Sequence, residues 1–304
     1  MLEGVFLGTS SAFPTAQRNH PSVYIKAGGA KMLLDCGEGT QRQIRKAGLS
    51  PFVDCIFITH WHGDHSLGIG GIVQSINMMK SSKTLMVFGP VGTGASVKKT
   101  LQTYKFYSNA DVRVKSVDAP REKVLVNGKD HTVSAFNVKH SVKCLAYKIT
   151  ENDTRNIYAE KLAKMGIKPG KFLSGLKNGK DVVYNGKKLR YKALTYLKKG
   201  KSLAYVTDLR YDKGIVKFIK GVDTLIIEST FAADFSKSSE FFHLNLKEAM
   251  SLAKSSGAKN VYFIHTSQRY EEGDVLEKEA KALYSLMKCA FRYSFPRDFD
   301  RIEI

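Results

Sequence analysis

Six consecutive residues limit what this chain can be more than any other feature: His60-Trp61-His62-Gly63-Asp64-His65. They follow an apolar run, Cys55-Ile56-Phe57-Ile58-Thr59, that reads as a buried strand. Four side chains able to bind a metal therefore crowd the abrupt end of a strand. Gly63 permits the tight turn that lets them converge. Imidazole and carboxylate together suit zinc, with manganese or iron as alternatives. With only 8 histidines in 304 residues, this clustering is not a product of composition.

Three more candidates occupy equivalent places. His140 ends the run Thr132–Lys139, Asp208 follows Leu203-Ala204-Tyr205-Val206-Thr207, and His265 ends the run Asn260–Ile264. Sheets present reactive groups at the carboxyl ends of their strands. One metal would then take His60, His62 and His140, a second would take Asp64, His65 and His265, and Asp208 would bridge them. A metal pair of this kind activates water at neutral pH and clamps phosphate oxygens. No Ser–His–Asp or Cys–His arrangement competes with it, and no phosphate-cradling glycine loop is present. Cys36, Cys55, Cys144 and Cys289 show no C-x-x-C spacing, which argues against a disulfide framework and a thiolate zinc site.

Short apolar runs bounded by turn residues give candidate strands at 3–8, 23–27, 31–35, 55–59, 84–88, 112–117, 123–126, 132–138 and 145–150, then at 203–207, 224–227 and 261–264. Helical patterns fall at 40–47, 67–77, 96–103, 213–219, 246–255 and 275–290. Strands in runs with helices spread through both halves predict an α/β protein of sheets covered by helices. No apolar run reaches the roughly 18–20 residues that span a bilayer. The first residues read as a strand and not as a signal peptide, so a cytoplasmic protein without a membrane partner is expected.

The net charge of +20 predicts a polyanionic partner. Its distribution is uneven, since residues 151–200 hold 13 Lys/Arg against 4 Asp/Glu. Met165-Gly166-Ile167-Lys168-Pro169-Gly170-Lys171 breaks any helix there, and Lys177–Lys180 and Asn185–Lys188 read as turns. Tyr158, Phe172, Tyr184, Tyr191 and Tyr196 are interleaved with the cations. The segment reads as an excursion from the main domain, partly a hairpin, that carries a concentrated positive field.

The H-x-H-x-D-H string is the hallmark of the metallo-β-lactamase superfamily, and further motifs resemble the ribonuclease Z family almost end to end. They are Leu7-Gly8-Thr9-Ser10-Ser11 with Pro14-Thr15 and Arg18-Asn19, Leu34-Asp35-Cys36-Gly37-Glu38-Gly39-Thr40-Gln41, His140-Ser141-Val142 with Tyr147, Thr207-Asp208, and His265-Thr266-Ser267-Gln268-Arg269-Tyr270. The resemblance implies a four-layer αββα sandwich spanning residues 1–304, two zinc ions per subunit and a homodimer. It also implies an inserted arm at 151–200 that grips tRNA, within which Gly166–Gly170 resembles the arm's Gly/Pro motif and Lys168 and Lys171 are candidate contacts. Asp35 would orient a ligand histidine, and Ser267 and Arg269 would hold substrate phosphate.

Two motifs depart from the family's pattern. Its H-E-A-T loop appears as Ile227-Glu228-Ser229-Thr230, and its H-S-T loop as His243-Leu244-Asn245. The resemblance implies that His243, steered by Glu228, protonates the leaving 3′-oxygen, while Asp64 doubles as general base. The implied activity is endonucleolytic removal of the 3′ trailer of precursor tRNA, leaving a 3′-hydroxyl. The competing readings are a hydrolase of small phosphodiesters on the same scaffold and an RNA-binding protein with a structural metal pair.

Overall fold

The computed structural model describes residues 2–79, 83–103, 110–232, 238, 240–271, 274–302 and 304. The chain divides into two compact units, one made of Met1–Thr150 with Ser202–Ile304 and the other of Glu151–Lys201.

The larger unit is built on two sheets. Strands β1 (Leu2–Gly8), β2 (Ser22–Ala27), β3 (Ala30–Leu34), β4 (Cys55–Phe57), β5 (Leu85–Pro90) and β6 (Val112–Val117) lie in sequence order in the first. The second begins with β7 (Lys123–Asn127), β8 (His131–Val138) and β9 (Cys144–Glu151). After four strands of the smaller unit, β10 (Thr154–Ile157), β11 (Val182–Tyr184), β12 (Lys187–Leu189) and β13 (Thr195–Lys198), it resumes with β14 (Ser202–Val206), β15 (Thr224–Glu228), β16 (Asn260–Ile264) and β17 (Arg292–Ser294). Its order is β17-β16-β15-β14-β9-β8-β7, and the last strand, β18 (Arg301–Ile302), returns to pair with β1.

Alternation along each strand sorts side chains into layers. In β14, Leu203 and Tyr205 join a core shared by both sheets, while Ala204 and Val206 turn to a second cluster. That second cluster includes Leu246, Ala249, Met250 and Ala253 of the helix Leu246–Ser256. Val5 and Leu7 of β1 likewise pack with Ile69, Ile72, Val73 and Ile76 of the helix Ile69–Met78, while Phe6 points between the sheets. The result is helix, sheet, sheet, helix. Between the sheets, Phe57 packs at 4.9 Å from Phe88 and 5.3 Å from Tyr147, whose hydroxyl donates to the Ile58 carbonyl at 2.6 Å.

Some boundaries differ from the sequence expectation. Strand β4 stops at Phe57 because the Thr59 amide turns aside to donate to the Asp35 carboxylate. The last long helix runs only over Val275–Leu286 and ends before Lys288, whose φ is 51°. Strands β17 and β18, of 3 and 2 residues, were not anticipated. The segment just before β18 also ties down the N-terminal loop. Asp298 accepts from the Thr9 hydroxyl at 3.0 Å, the Asn19 amide at 2.7 Å and the Gln43 side chain at 2.8 Å. Among the described residues, no helix is long and apolar enough to cross a membrane.

The smaller unit has its own core of Leu162, Ile167, Leu176, Leu189 and Leu194. Strands β10 and β13 pair antiparallel, as do β11 and β12. The β11–β12 turn takes positive φ at Asn185 (49°) and Gly186 (74°), the pattern of a type I′ hairpin. Three short helices, Ala159–Lys164, Leu173–Lys177 and Tyr191–Leu194, were not anticipated from the sequence. Lys168 and Lys171 are exposed.

Candidate metal centre

Strands β3 to β6 run parallel, and so do β14 to β17. Their carboxyl ends therefore gather Asp35, His60, Asp208, Glu228 and His265. The residues after His60 fold as a single helical turn, Gly63–Ser66, with His62 as its N-cap, so Asp64 and His65 face back toward His60. Gly37 is required beside this turn, because a Cβ there would collide with the Asp64 carbonyl.

Among the described residues, three groups offer converging donor atoms: His60, His62, His140 and Asp208; Asp64, His65, Asp208 and His265; and Glu228, His243 and His265. In the first, His60 Nε2 lies 2.9 Å from His62 Nδ1 and 3.5 Å from Asp208 Oδ2, and His140 Nε2 lies 3.4 Å from His62 Nδ1. In the second, His65 Nε2 lies 3.2 Å from Asp64 Oδ2, 3.4 Å from Asp208 Oδ2 and 3.3 Å from His265 Nε2. His265 Nε2 lies 3.2 Å from Asp208 Oδ1. Two ligands bound tetrahedrally to zinc at roughly 2.0–2.1 Å stand about 3.3 Å apart. The donors are thus spaced as the edges of two such tetrahedra that share Asp208. The seven residues fit a pair of divalent metals.

The far side of each ring explains which nitrogen faces the centre. His65 Nδ1 donates to Asp35 Oδ2 at 2.8 Å. His60 Nδ1 meets the Thr59 hydroxyl at 3.0 Å, and that hydroxyl donates on to Asp35. His140 Nδ1 meets the Phe242 carbonyl at 3.2 Å. His265 Nδ1 meets the Thr230 hydroxyl at 2.8 Å, and that hydroxyl donates to Glu228 at 2.6 Å. Each contact places the proton on Nδ1 and leaves Nε2 free to bind metal. His62 is the exception and presents Nδ1. Asp35 is fully buried and also accepts from the Tyr205 hydroxyl at 2.9 Å. Thr59, Tyr205, Thr230 and the Phe242 carbonyl were given no role from the sequence; Thr59 precedes His60 and Thr230 lies in a quoted motif.

The electrostatics follow the same division. Burial, then the charge of neighbouring His65, holds His60 well below the ordinary histidine range, and burial lowers His62 and His140 too. Neutral imidazole is the form that binds metal. His65 is pulled the other way: burial opposes its charge, but the Asp208 and Asp35 carboxylates outweigh it. A site that draws a proton onto His65 is short of positive charge, which a bound cation supplies. Burial likewise works against the Asp208 carboxylate, yet the surrounding imidazoles hold it well below the carboxylate range.

His243 sits beside this centre. Its Nδ1 lies 2.9 Å from Glu228 Oε2 and 3.9 Å from Asp208 Oδ2. Burial disfavours its charge, but Glu228 and then Asp208 push it up to about 9. Glu228 is fully buried and also accepts from the Leu209 amide at 2.7 Å. Ser267 caps the 3-10 turn Gln268–Tyr270, and Arg269 is exposed with no ion pair to another described residue. His20 and His131, which belong to none of these groups, are buried, at 8% and 7% exposure.

The comparisons with known proteins agree with this geometry. A profile described as "Beta-lactamase superfamily domain" matches residues 187–266, and one described as "Anti-Pycsar protein Apyc1" matches residues 2–110. The short form of human tRNase Z superposes with a TM-score of 0.71 at 23% identity, covering 99% of both chains. The fold is thus that of the metallo-β-lactamases. Ribonuclease Z of Methanothermobacter thermautotrophicus is 35% identical, over 95% of this chain and 94% of that protein. Ribonuclease Z of Pyrococcus horikoshii is 34% identical, over 100% of this chain and 96% of that protein. With strand-end donors, spacing and full-length similarity in agreement, the chain belongs to the ribonuclease Z family.

Proposed function

We propose that this chain is a metal-dependent endoribonuclease that cuts precursor tRNA at its 3′ end and leaves a 3′-hydroxyl on the tRNA. One observation carries the reading: seven donors spaced for two metals that share Asp208, in a chain similar end to end to ribonuclease Z.

His60, His62 and His140 would hold one metal and Asp64, His65 and His265 the other, with Asp208 between them. Two zinc ions per subunit, or manganese or iron in their place, would lower the pKa of a water and neutralise charge on phosphate oxygens. Asp35 and Thr230 keep His65 and His265 in the binding tautomer. Asp64 is placed to accept the attacking water's proton. As water bonds to phosphorus, the bond from phosphorus to the 3′-oxygen breaks and the phosphate stays on the trailer. His243, held through Nδ1 by Glu228, has Nε2 available to protonate the departing 3′-oxygen. Ser267 and Arg269, two and four residues after His265 in the sequence, would hold phosphate.

Residues 151–200 would form the tRNA-binding arm, with Lys168 and Lys171 among its phosphate contacts. Lys-rich surfaces bind by displacing counterions, so affinity should fall steeply with salt. A homodimer acting in the cytoplasm completes the reading. Met78 and Met79, 77% and 37% exposed, would lie at such a contact between copies.

The test is cleavage of a 3′-extended precursor tRNA with chelator and with zinc restored, mapping the cut. A single zinc-dependent cut just past the acceptor stem is expected. Hydrolysis of a small phosphodiester with no cut in tRNA would overturn the reading.

A further inference from the structure

The five aromatic residues of the basic insertion do not share one fate. Phe172, Tyr184 and Tyr191 pack against the unit's own core. Tyr158 and Tyr196 remain 39% and 40% exposed, with ring centroids 4.9 Å apart and planes tilted by 38°. Residues directly opposite in an antiparallel pair project to one face. Ile157 pairs with Thr195 and Arg155 with Leu197; on this face Ile157 packs on the core and Arg155 donates to the Thr195 hydroxyl at 3.2 Å, while Leu197 at the far end is 48% exposed. The opposite face of the ribbon carries Thr154 across from Lys198 and Asn156 across from Tyr196. Tyr158 follows at its end, against Tyr196.

This pair is fixed in place. The Tyr158 amide donates to the Leu194 carbonyl at 2.9 Å, anchoring the residue that caps the helix Ala159–Lys164. Lys161 donates to the Ala193 carbonyl at 2.9 Å, which holds its ammonium 4.2 Å from the centre of the Tyr158 ring. Two aromatic rings are thus partly exposed side by side, with a cation against one and Lys198 on the same face. Exposed rings in a field of 13 Lys/Arg against 4 Asp/Glu suit a ligand that is both anionic and flat-faced. Nucleic acid bound through phosphates and stacked bases has this chemistry.

We propose that Tyr158 and Tyr196 form a nucleobase-stacking platform, contacting bases of the RNA at a place where they are not covered by neighbours in the stack. The inference rests on the RNA reading given above and adds to it a contact that does not depend on charge. Phosphate contacts weaken as salt rises, whereas stacking is insensitive to counterions.

The experiment measures the affinity of the full-length metal-loaded protein for a 3′-extended precursor tRNA across a series of potassium chloride concentrations. The variants are the double substitutions Tyr158→Ala/Tyr196→Ala and Tyr158→Phe/Tyr196→Phe, with Lys161→Ala as the charge comparison. Hydrolysis of bis(p-nitrophenyl) phosphate is followed in parallel. The double alanine variant should bind roughly ten-fold more weakly at every salt concentration, with the salt slope of the wild type. The double phenylalanine variant should bind as the wild type does. Hydrolysis of the small ester should be unchanged in all of them. Unchanged tRNA affinity in the double alanine variant would overturn the platform and leave the RNA reading intact. So would a loss in both double variants, or a loss with an altered salt slope, because either means a disturbed fold or lost phosphate contacts. Failure of the wild type itself to bind or cut the precursor, with the small ester still hydrolysed, would remove the RNA reading and the platform with it.

Discussion

Replacing Asp35 with Asn tests whether ligand tautomers are set by the buried shell around the metals. The substitution keeps the shape of the side chain and turns one acceptor into a donor. Asp35 Oδ1 takes the Thr59 amide at 2.7 Å, while Oδ2 takes His65 Nδ1 at 2.8 Å and the Tyr205 hydroxyl at 2.9 Å. An asparagine that keeps its oxygen on the Thr59 amide must aim its NH2 at two donors. The Tyr205 hydroxyl can rotate and accept. His65 can accept only by moving its proton to Nε2, where it faces Asp64, Asp208 and His265. An imidazole protonated there cannot bind metal. Leaving a buried donor unsatisfied costs about 1–3 kcal/mol. Loss of such an outer partner typically lowers metal affinity about 10–100-fold, which is about 1.4–2.7 kcal/mol, so the two estimates agree. Competition against a chromophoric chelator should show one zinc weakened by that factor and the other, at His60, His62 and His140, less affected. Activity should return at high zinc. Two zinc ions bound by the variant with wild-type affinity would refute the tautomer argument.

Asp208→Ala should remove the shared donor and abolish hydrolysis of both precursor tRNA and a small phosphodiester, with zinc content by mass spectrometry falling below two per chain. Residues 151–201 can be replaced by a short turn, because Thr150 and Ser202 pair across β9 and β14. That deletion should raise KM for precursor tRNA by about ten-fold or more while the small substrate is hydrolysed normally; equal losses on both would sink the recognition role. Burial raises the Asp298 carboxyl to about 6, despite the Asn19 and Thr9 bonds, from an ordinary 3.8. The folded state therefore holds this proton more tightly than the unfolded one, and stability from this group is present at low pH and lost as pH rises from about 4 through 6. Asp298→Asn, a mimic of the protonated form, should gain on the wild type by about 2 kcal/mol between pH 4.5 and 7 in thermal melts; a constant difference across that range would refute the assignment.

The donor set was legible because His60, His140, Asp208 and His265 each follow an apolar run, so strand direction brings them to one edge, and His62, Asp64 and His65 share one turn with His60. What orients them was mostly not legible. The Tyr205 hydroxyl reaches Asp35 across 170 positions of sequence, and the Phe242 carbonyl reaches His140 across 102. Backbone carbonyls carry no sequence signal, and a tyrosine in an apolar run reads only as core. The burial of His20 is likewise a product of the fold, since Gly8 and Gly37 pack against it more closely than any side chain would allow. Strands β17 and β18 are too short for a period of two to show. In the insertion, Thr154–Ile157 is polar on one face, and its pairing with Thr195–Lys198 follows from a core of five small-unit residues that only the folded chain reveals.

Asp35, Asp208 and His265 share a backbone property that sets them apart from their strands: φ values of 57°, 55° and 59°. Each L-residue in that left-handed region gives up roughly 1–2 kcal/mol that a glycine would keep. Among variants that lack the donor side chain, the backbone at these positions favours glycine over alanine. Asp208→Gly should therefore melt higher than Asp208→Ala while being equally inactive.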